Sequence, residues 1–387
     1  MCGLAGFVEL GPPRPRDEAA AIVGAMGAAI AHRGPDGAGL WVSPDGAVAL
    51  AHRRLAIVDL SPTGAQPMTS PSGRYVVTFN GEIYNHAELR GTVDTARLRG
   101  HSDTEVMLAR FDRDGVVATL PHLIGMFALA VYDSHARQVV LARDRFGEKP
   151  LYWGRDGDSV VFGSELKALR VHPAVRAEID RGALVQYLRY GWVPAPRSIY
   201  QGIGKLAPGT SVTIDLTRAT IGAPVAYYDL RAVAARGVAT PLAVSAGEAA
   251  ERLEAALTTA IRRQMLADVP LGAFLSGGLD SSTIVALMQA SATRPVRTYT
   301  IGFAERGYDE STHAAAIARH LGTEHTELVA TPEACLAIVA ELPRIYDEPF
   351  ADSSQLPTTL LARLTRAHVT VALSGDAGDE QIGRAHV

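Results

Sequence analysis

Cysteine is scarce in this chain: two among 387 residues, Cys2 and Cys335. That count excludes a disulfide framework and leads us to expect a reducing compartment, the cytoplasm. Long apolar runs are missing too. The longest, Leu123 to Tyr132, is too short to span a bilayer. The opening residues, Met-Cys-Gly-Leu-Ala-Gly-Phe-Val-Glu, lack the basic stretch and long apolar core of a secretory leader. Neither sign of charge dominates. Thirty-seven Lys and Arg stand against 41 Asp and Glu, a net charge of −4, so neither nucleic acid nor an anionic membrane is an expected partner. What the chain does have is glycine, 37 residues, and 22 prolines, a composition that supports many tight turns. Its 47% hydrophobic and 20% charged content suits a globular protein of two or three domains.

Short β-branched or aromatic runs broken by turn residues predict strands at Gly3–Glu9, Ala47–Leu50, Tyr75–Phe79, Phe127–Tyr132, Gln138–Ala142 and Ser159–Gly163. Helical stretches interrupt them around Asp17–Ala31 and Asp103–Arg113. Residues 2–170 thus read as a layered α/β domain on antiparallel sheet. Residues 171–245, rich in proline, read as a connecting segment with a helix near Leu184–Tyr190. From Ala246 apolar residues recur at helical spacing. Strands at Val269–Leu275, Arg297–Phe303 and His368–Leu373 then alternate with helices from Asp280 and over Ser311–Leu321. That alternation predicts a parallel sheet with crossovers.

Cys2 carries the first chemistry. Removal of Met1 would place a thiol and a free α-amine on one residue. Such an amine has a pKa of about 7.7–8.0, so it can take the thiol proton, and the thiolate is the nucleophile. Four further motifs accompany it: His32-Arg33-Gly34-Pro35-Asp36-Gly37, Ala51-His52-Arg53-Arg54-Leu55-Ala56-Ile57-Val58-Asp59, Asn80-Gly81-Glu82-Ile83-Tyr84-Asn85 and Gly100-His101-Ser102-Asp103-Thr104-Glu105. Each has a plainer reading taken singly; Asn-Gly alone is a common hairpin turn.

Together these motifs resemble the N-terminal-nucleophile glutamine amidotransferases, over about residues 1–165. The resemblance implies an αββα Ntn-hydrolase domain that hydrolyses glutamine through a γ-glutamyl thioester. It implies Cys2 as nucleophile and the Asn80 amide with the Gly81 N–H as oxyanion hole. Arg54 would clamp the glutamine α-carboxylate, within a binding segment Arg54, Leu55, Ala56, Ile57 and Val58. Asp103, with Glu82 nearby, would hold the α-ammonium. Arg143-Asp144-Arg145-Phe146-Gly147-Glu148-Lys149-Pro150-Leu151-Tyr152 also matches that family, and its residue types predict structure or a domain interface.

In the second half, Leu275-Ser276-Gly277-Gly278-Leu279-Asp280-Ser281-Ser282 joins a strand to a helix. Glycines let the backbone approach a ligand, and N–H groups, the helix N-terminus and hydroxyls converge on an anion. No lysine follows, so this is not the GxxxxGK[ST] loop. It resembles the pyrophosphate loop of the ATP-pyrophosphatase enzymes, a parallel-sheet fold of the adenine-nucleotide α-hydrolase kind. That resemblance implies ATP as substrate, with Mg²⁺ held by Asp280 and Asp379. Ser374 and Gly375 would touch the nucleotide, Leu275 and Ile301 would flank the adenine, and Asp376 would sit near the adenylate chemistry. Asp347-Glu348-Pro349-Phe350-Ala351-Asp352-Ser353-Ser354 matches as well and is expected to line the acceptor site.

The combination resembles the glutamine-hydrolysing asparagine synthetases of the bacterial B type, carbon–nitrogen ligases with glutamine as amido donor. It implies that ammonia made at Cys2 aminates a β-aspartyl-AMP formed from aspartate and ATP. Ammonium is no nucleophile, so transfer is expected through a water-poor passage. Three alternatives stand beside it: the same build acting on another carboxylate in a biosynthetic cluster, which Tyr190-Gly191-Trp192-Val193-Pro194-Ala195-Pro196-Arg197-Ser198-Ile199-Tyr200 favours; a β-lactam synthetase, against which Cys2 argues; and a non-catalytic scaffold. A homodimer also stays open. The resemblance covers only the N-terminal part of the synthetase domain, residues 246–381. Residues 382–387, Ile-Gly-Arg-Ala-His-Val, read as one frame of a common sequencing adapter. The expectation is an incomplete second domain with a non-native tail, and glutaminase as the activity retained.

Overall fold

A computed structural model describes residues 1–303 and 311–376. The chain divides into two compact units. One comprises Met1–Pro241 with Tyr346–Ala351, the other Leu242–Ile345 with the residues from Asp352 onward.

The first unit holds two antiparallel sheets. Its strands in chain order are β1 (Gly3–Glu9), β2 (Gly37–Val42), β3 (Val48–Arg54), β4 (Met68–Thr69), β5 (Tyr75–Ile83), β6 (Gly125–Asp133), β7 (Gln138–Arg143), β8 (Tyr152–Asp156), β9 (Ser159–Gly163), β10 (Ile203–Lys205), β11 (Thr210–Asp215), β12 (Thr220–Ile221) and β13 (Val225–Ala226). One sheet runs β10-β8-β9-β1-β3-β2. The other runs β12-β11-β7-β6-β5-β4, with β13 paired to β11.

Alternation along each strand sorts side chains into layers. Leu4 and Val8 of β1 meet Val76 of β5 and Ala128 and Ala130 of β6 in a core shared by both sheets. Ala5 and Phe7 point the other way, to Ala19, Val23 and Met26 of the helix Arg16–Ala29. On the far face of the second sheet, Val77, Phe79, Leu129 and Val131 pack on Val106, Met107 and Phe111 of the helix Asp103–Asp114. The result is the αββα sandwich expected. Each fully buried side chain of this kind contributes about 1.5–3 kcal/mol.

Two readings of the sequence are refined. The strand expected at Tyr75–Phe79 runs further, and the hairpin turn that Asn-Gly suggests when taken alone does not form. β5 runs through both residues to Ile83, pairing Asn80 with Ala128 and Gly81 with Phe127. Glycine at 81 answers to proximity, since a Cβ there would lie 2.1 Å from the Met126 carbonyl oxygen. Gly81→Ala is therefore expected to lower unfolding stability by about 1–3 kcal/mol, read from the denaturation midpoint; an unchanged midpoint would show that β6 yields without strain. Residues 171–245 are also more than a connector. β10 extends the first sheet beside β8, and β11 joins the second beside β7 through five register pairs from Ser211↔Ala142 to Asp215↔Gln138. Proline density marked the loops there and hid strands of two to six residues.

The second unit contains a four-stranded, wholly parallel sheet in the order β16-β15-β14-β17. Its strands are β14 (Leu271–Phe274), β15 (Arg297–Phe303), β16 (Glu324–Ala330) and β17 (Val371–Leu373). Helices Leu279–Ser291 and Ser311–Leu321 are its crossovers, as periodicity predicts. Ile261, Ala273, Val285, Met288, Ala314 and Leu373 form its core. Cys335 is only partly buried, against Ala330, Ile338 and Leu360. Among the described residues no helix is long and apolar enough to cross a membrane.

Candidate active site

Antiparallel pairing decides where the first site lies. β1 starts where β3 ends, with Gly3 opposite Arg53, so Cys2 and Arg54 come together from positions 52 residues apart. The end of β5 arrives from the other sheet, where Thr78 Oγ1 donates 3.0 Å to the Ala51 carbonyl and ties the sheets together. One pocket is lined by Met1, Cys2, Arg54, Leu55, Ile57 and Val58, and also by Asn80, Gly81, Glu82, Asp103 and Lys149. Of the predicted first-half residues only Ala56 is not among the lining. Its N–H instead donates 2.9 Å to Asp36 Oδ2, bracing the loop after β3.

Cys2 Sγ lies 3.4 Å from the Leu55 N–H and 3.5 Å from the Leu55 carbonyl. Burial pushes its thiol pKa up, opposed by the Leu55 hydrogen bond and by the chain's own α-amino group. While Met1 remains attached, the sulfur is thus held as a thiol. Arg33 Nε donates 2.9 Å to the Cys2 carbonyl and its NH1 donates 2.7 Å to Glu165 Oε1, which fixes the backbone at the nucleophile position.

Asn80 is fully buried, yet neither its Nδ2 nor its Oδ1 has a hydrogen-bond partner among the described residues. An amide sealed from water without a partner costs about 1–3 kcal/mol. Native proteins leave such groups unpaired rarely, and a binding or catalytic duty is one reason.

Arg54 is held by two loop carbonyls, Ser61 O at 2.9 Å and Asp59 O. A guanidinium has five N–H donors, so this bracing leaves others for a ligand. The loop is itself braced by Asp59, whose carboxylate accepts from Ser61 Oγ, Thr63 Oγ1 and the His101 N–H, and whose pKa falls to about 2 although burial opposes the drop. Gly64 leaves room for the guanidinium; a Cβ would come 2.2 Å from Arg54 NH2.

Asp103 opens its helix just after the cap Ser102, whose side chain accepts 3.3 Å from the Glu105 N–H. Its carboxylate accepts from the Ile83 and Thr104 N–H groups at 2.8 and 2.7 Å. Burial raises its pKa against those hydrogen bonds. Glu82 stands close to it. Burial, then the charge of Asp103, lift Glu82 to about 7, opposed by Lys149 and the chain's α-amino group. Two adjacent carboxylates that cannot comfortably both ionise are a site waiting for a cation.

Neither His32 nor His52 enters the pocket. His52 Nε2 sits 3.0 Å from the Phe79 carbonyl, and burial holds it neutral with a pKa near 4. Gln66, Phe79, Ser102, Thr104 and Met126 do line the pocket. Ser102 and Thr104 flank Asp103 in a motif legible from sequence, whereas Gln66, Phe79 and Met126 could be found only through topology. Lys149 is the instructive omission, since its motif was legible and its pocket position was not.

The second site lies in the second unit. Gly277, at φ +87°, turns the chain between β14 and its helix. Ser276 Oγ and Ser281 Oγ are 3.0 Å apart, and the Gly278 N–H donates 3.3 Å to Ser276 Oγ. Ser282 Oγ donates 2.6 Å to the Gly278 carbonyl. The Ser374-Gly375 loop reaches the same helix start: a Cβ on Gly375 would be 2.7 Å from the Ser281 N. Ser374 Oγ donates 2.9 Å to Asp376 Oδ2. Leu275 is buried in the core of the second unit, and Ile301 packs against the Ala330 cluster. Asp280 is in the first helical turn, and Asp379 lies outside the described residues. In the Asp347–Ser354 segment, expected to line the acceptor site, two carboxylates are already paired. Asp347 Oδ1 is 3.0 Å from Lys167 Nζ, and Glu348 accepts from Lys205 Nζ at 2.6 Å and the Ile199 N–H at 2.8 Å, all within the first unit.

Residues 1–228 match the family of the glutamine amidotransferase domain, and residues 252–384 match asparagine synthase. Over 402 residues the chain is 33% identical to a putative asparagine synthetase (glutamine-hydrolyzing) 2 of Methanocaldococcus jannaschii, covering 99% of this chain and 75% of that protein. The chain belongs to the glutamine-hydrolysing asparagine synthetase family. It is also 35% identical over 393 residues to asparagine synthetase (glutamine-hydrolyzing) 1 of Bacillus subtilis, and 36% identical over 401 residues to a putative asparagine synthetase (glutamine-hydrolyzing) of Mycobacterium bovis. Each alignment takes in 99% of this chain but only 58% and 60% of those two synthetases. The synthase match reaches residue 384, past the division at 381 expected from sequence.

Proposed function

We propose that the first unit hydrolyses glutamine at Cys2 and that the second activates a carboxylate, aspartate by family, with ATP. The observation that carries the first half is the buried Asn80 amide, without a hydrogen-bond partner among the described residues, lining one pocket with Cys2, Arg54 and Asp103. After Met1 is removed, the Cys2 amine accepts the thiol proton and the sulfur attacks the γ-carbonyl carbon of glutamine. Charge gathers on that oxygen, where the Asn80 Nδ2 and the Gly81 N–H donate. Collapse expels ammonia, which takes its third proton from the amine, and leaves the γ-glutamyl thioester. Water then cleaves the thioester, giving glutamate and free thiol. Arg54 holds the α-carboxylate and Glu82 with Asp103 the α-ammonium.

In the second unit, the Ser276–Ser282 loop binds the ATP phosphates through N–H groups and hydroxyls. The donors there are hard oxygens, which suit Mg²⁺. Asp280 would hold it with Asp379, and the ion would neutralise charge on the departing pyrophosphate. Ammonia attacks the acyl-adenylate carbonyl and AMP leaves. Glutaminase alone remains the narrower reading, and another acceptor carboxylate the broader one. The test is to incubate the full chain with glutamine, ATP and aspartate while following glutamate, AMP and asparagine. Glutamate release supports the first site and AMP with asparagine the second; no glutamate from a folded protein refutes the proposal.

The charge on Glu82 adds a pH prediction. Only its carboxylate form attracts the substrate ammonium. Its pKa near 7 means that KM for glutamine should rise as pH falls below about 7, approaching tenfold per unit, while Glu82→Gln should flatten that dependence. A KM constant between pH 6 and 8 in the wild type would remove Glu82 from the ammonium site.

A further inference from the structure

The loop between β7 and β8 is built around one buried carboxylate. Asp144 accepts from the N–H groups of Phe127 (3.1 Å), Phe146 (3.0 Å), Glu148 (2.9 Å) and Lys149 (3.0 Å). Arg143 clamps the same turn, donating 2.8 Å to the Lys149 carbonyl and 2.8 Å to the Leu206 carbonyl. Gly147, at φ +72°, closes it. All this bracing delivers one side chain, Lys149, which is only 6% exposed and lines the pocket that holds Cys2 and Glu82.

Its Nζ donates 2.9 Å to Met1 Sδ. A thioether is a weak acceptor and a poor partner for a buried ammonium. Burial lowers the lysine pKa, opposed by the charges of Glu148, Glu82 and Asp144 and reinforced by Arg33. Loss of Met1 would remove even the sulfur and leave the ammonium facing the pocket floor. There Glu82 is the carboxylate that feels its charge and also lines the pocket.

We propose that Lys149 is a positioning residue of the glutamine site, turning from Met1 to Glu82 once the chain is processed and keeping that carboxylate charged and aimed for the substrate α-ammonium. The inference rests on the glutaminase reading above. The groups that bear on Glu82 are Asp103 from the helix, Lys149 from the β7–β8 loop and the α-amino group from the chain start, with Cys2 and Arg54 across the pocket. Of these, Lys149 is the cation built into a rigid loop.

The experiment measures kcat and KM for glutamine against pH in the full chain carrying Lys149→Met, Lys149→Arg, Glu82→Gln or the Lys149→Met/Glu82→Gln pair. In the wild type, kcat/KM should fall on the acid side near the Glu82 pKa. Lys149→Met should move that limb upward by about one pH unit, mostly through KM, with kcat on the alkaline plateau much less affected. Lys149→Arg should restore the limb. In the Glu82→Gln background, Lys149→Met should change KM no further. An unmoved limb in Lys149→Met, or an equal loss of kcat at every pH, overturns the proposal. Lys149→Gln repeats the test should the methionine variant fail to fold. Absence of glutaminase activity in the wild type would instead strike the underlying reading, so the two failures are distinct.

Discussion

Cys2→Ala is expected to reduce glutamate release from glutamine by roughly four orders of magnitude or more, with the fold intact. No other pocket-lining side chain can form the thioester, because Cys335, the other thiol, lies in the second unit. The fold should persist because Cys2 precedes β1 and its sulfur makes two long contacts with the Leu55 backbone, while the Arg33 bond to the Cys2 carbonyl survives the substitution. Those contacts stabilise by much less than the strands beside them. Cys2→Ser should be nearly as inactive, since a hydroxyl beside an amine of pKa about 8 ionises far less readily than a thiol. The readout is a glutamate assay alongside a melting curve. Substantial glutamate release by a folded Cys2→Ala protein would dispose of the thiol mechanism.

Asn80→Ala should have the second largest effect and a telling asymmetry. Removing one oxyanion-hole donor lowers kcat by about 10²–10³. KM should change little, because the donor matters most after charge has formed on the oxygen. Stability should behave in the opposite way from most buried truncations. The Asn80 side-chain amide has no partner among the described residues to lose, so deleting it orphans no group among them. The Tm of Asn80→Ala should therefore fall little or even rise, a trade between stability and activity expected where a site is preorganised. A variant that loses several kcal/mol while keeping kcat would mean that the amide is structural.

Much of this was legible in the sequence because the relevant signals are local. β1, β9 and β15 have the bounds that alternation and apolar runs predict, and the helix Asp103–Asp114 closely follows the expected Asp103–Arg113. What was not legible depends on long-range pairing. Asn-Gly in the middle of a strand looks like a turn until β6 is laid beside it. β11 is invisible as part of the second sheet until it meets β7, whose paired residues lie 69 to 77 positions earlier. Lys149 was readable as part of a motif but not as a pocket residue, because its direction is fixed by Asp144 and Arg143 through backbone contacts that carry no sequence pattern. The pairing of Asp347 and Glu348 with lysines and a backbone N–H of the first unit is likewise invisible in the sequence, where acidic residues simply suggest a ligand.

The unprocessed chain offers a chemical contrast of its own. With Met1 present, burial raises the Cys2 thiol and the amine sits one residue away; once it is gone, the amine and the sulfur share a residue. The decisive measurement is therefore the intact mass and N-terminal peptide of protein shown to be active, before and after treatment with a diazoketone analogue of glutamine. The account predicts a chain lacking Met1, with the analogue's mass on Cys2 and loss of activity in proportion to labelling. Full activity in protein that retains Met1, or inactivation with the label elsewhere, would contradict it.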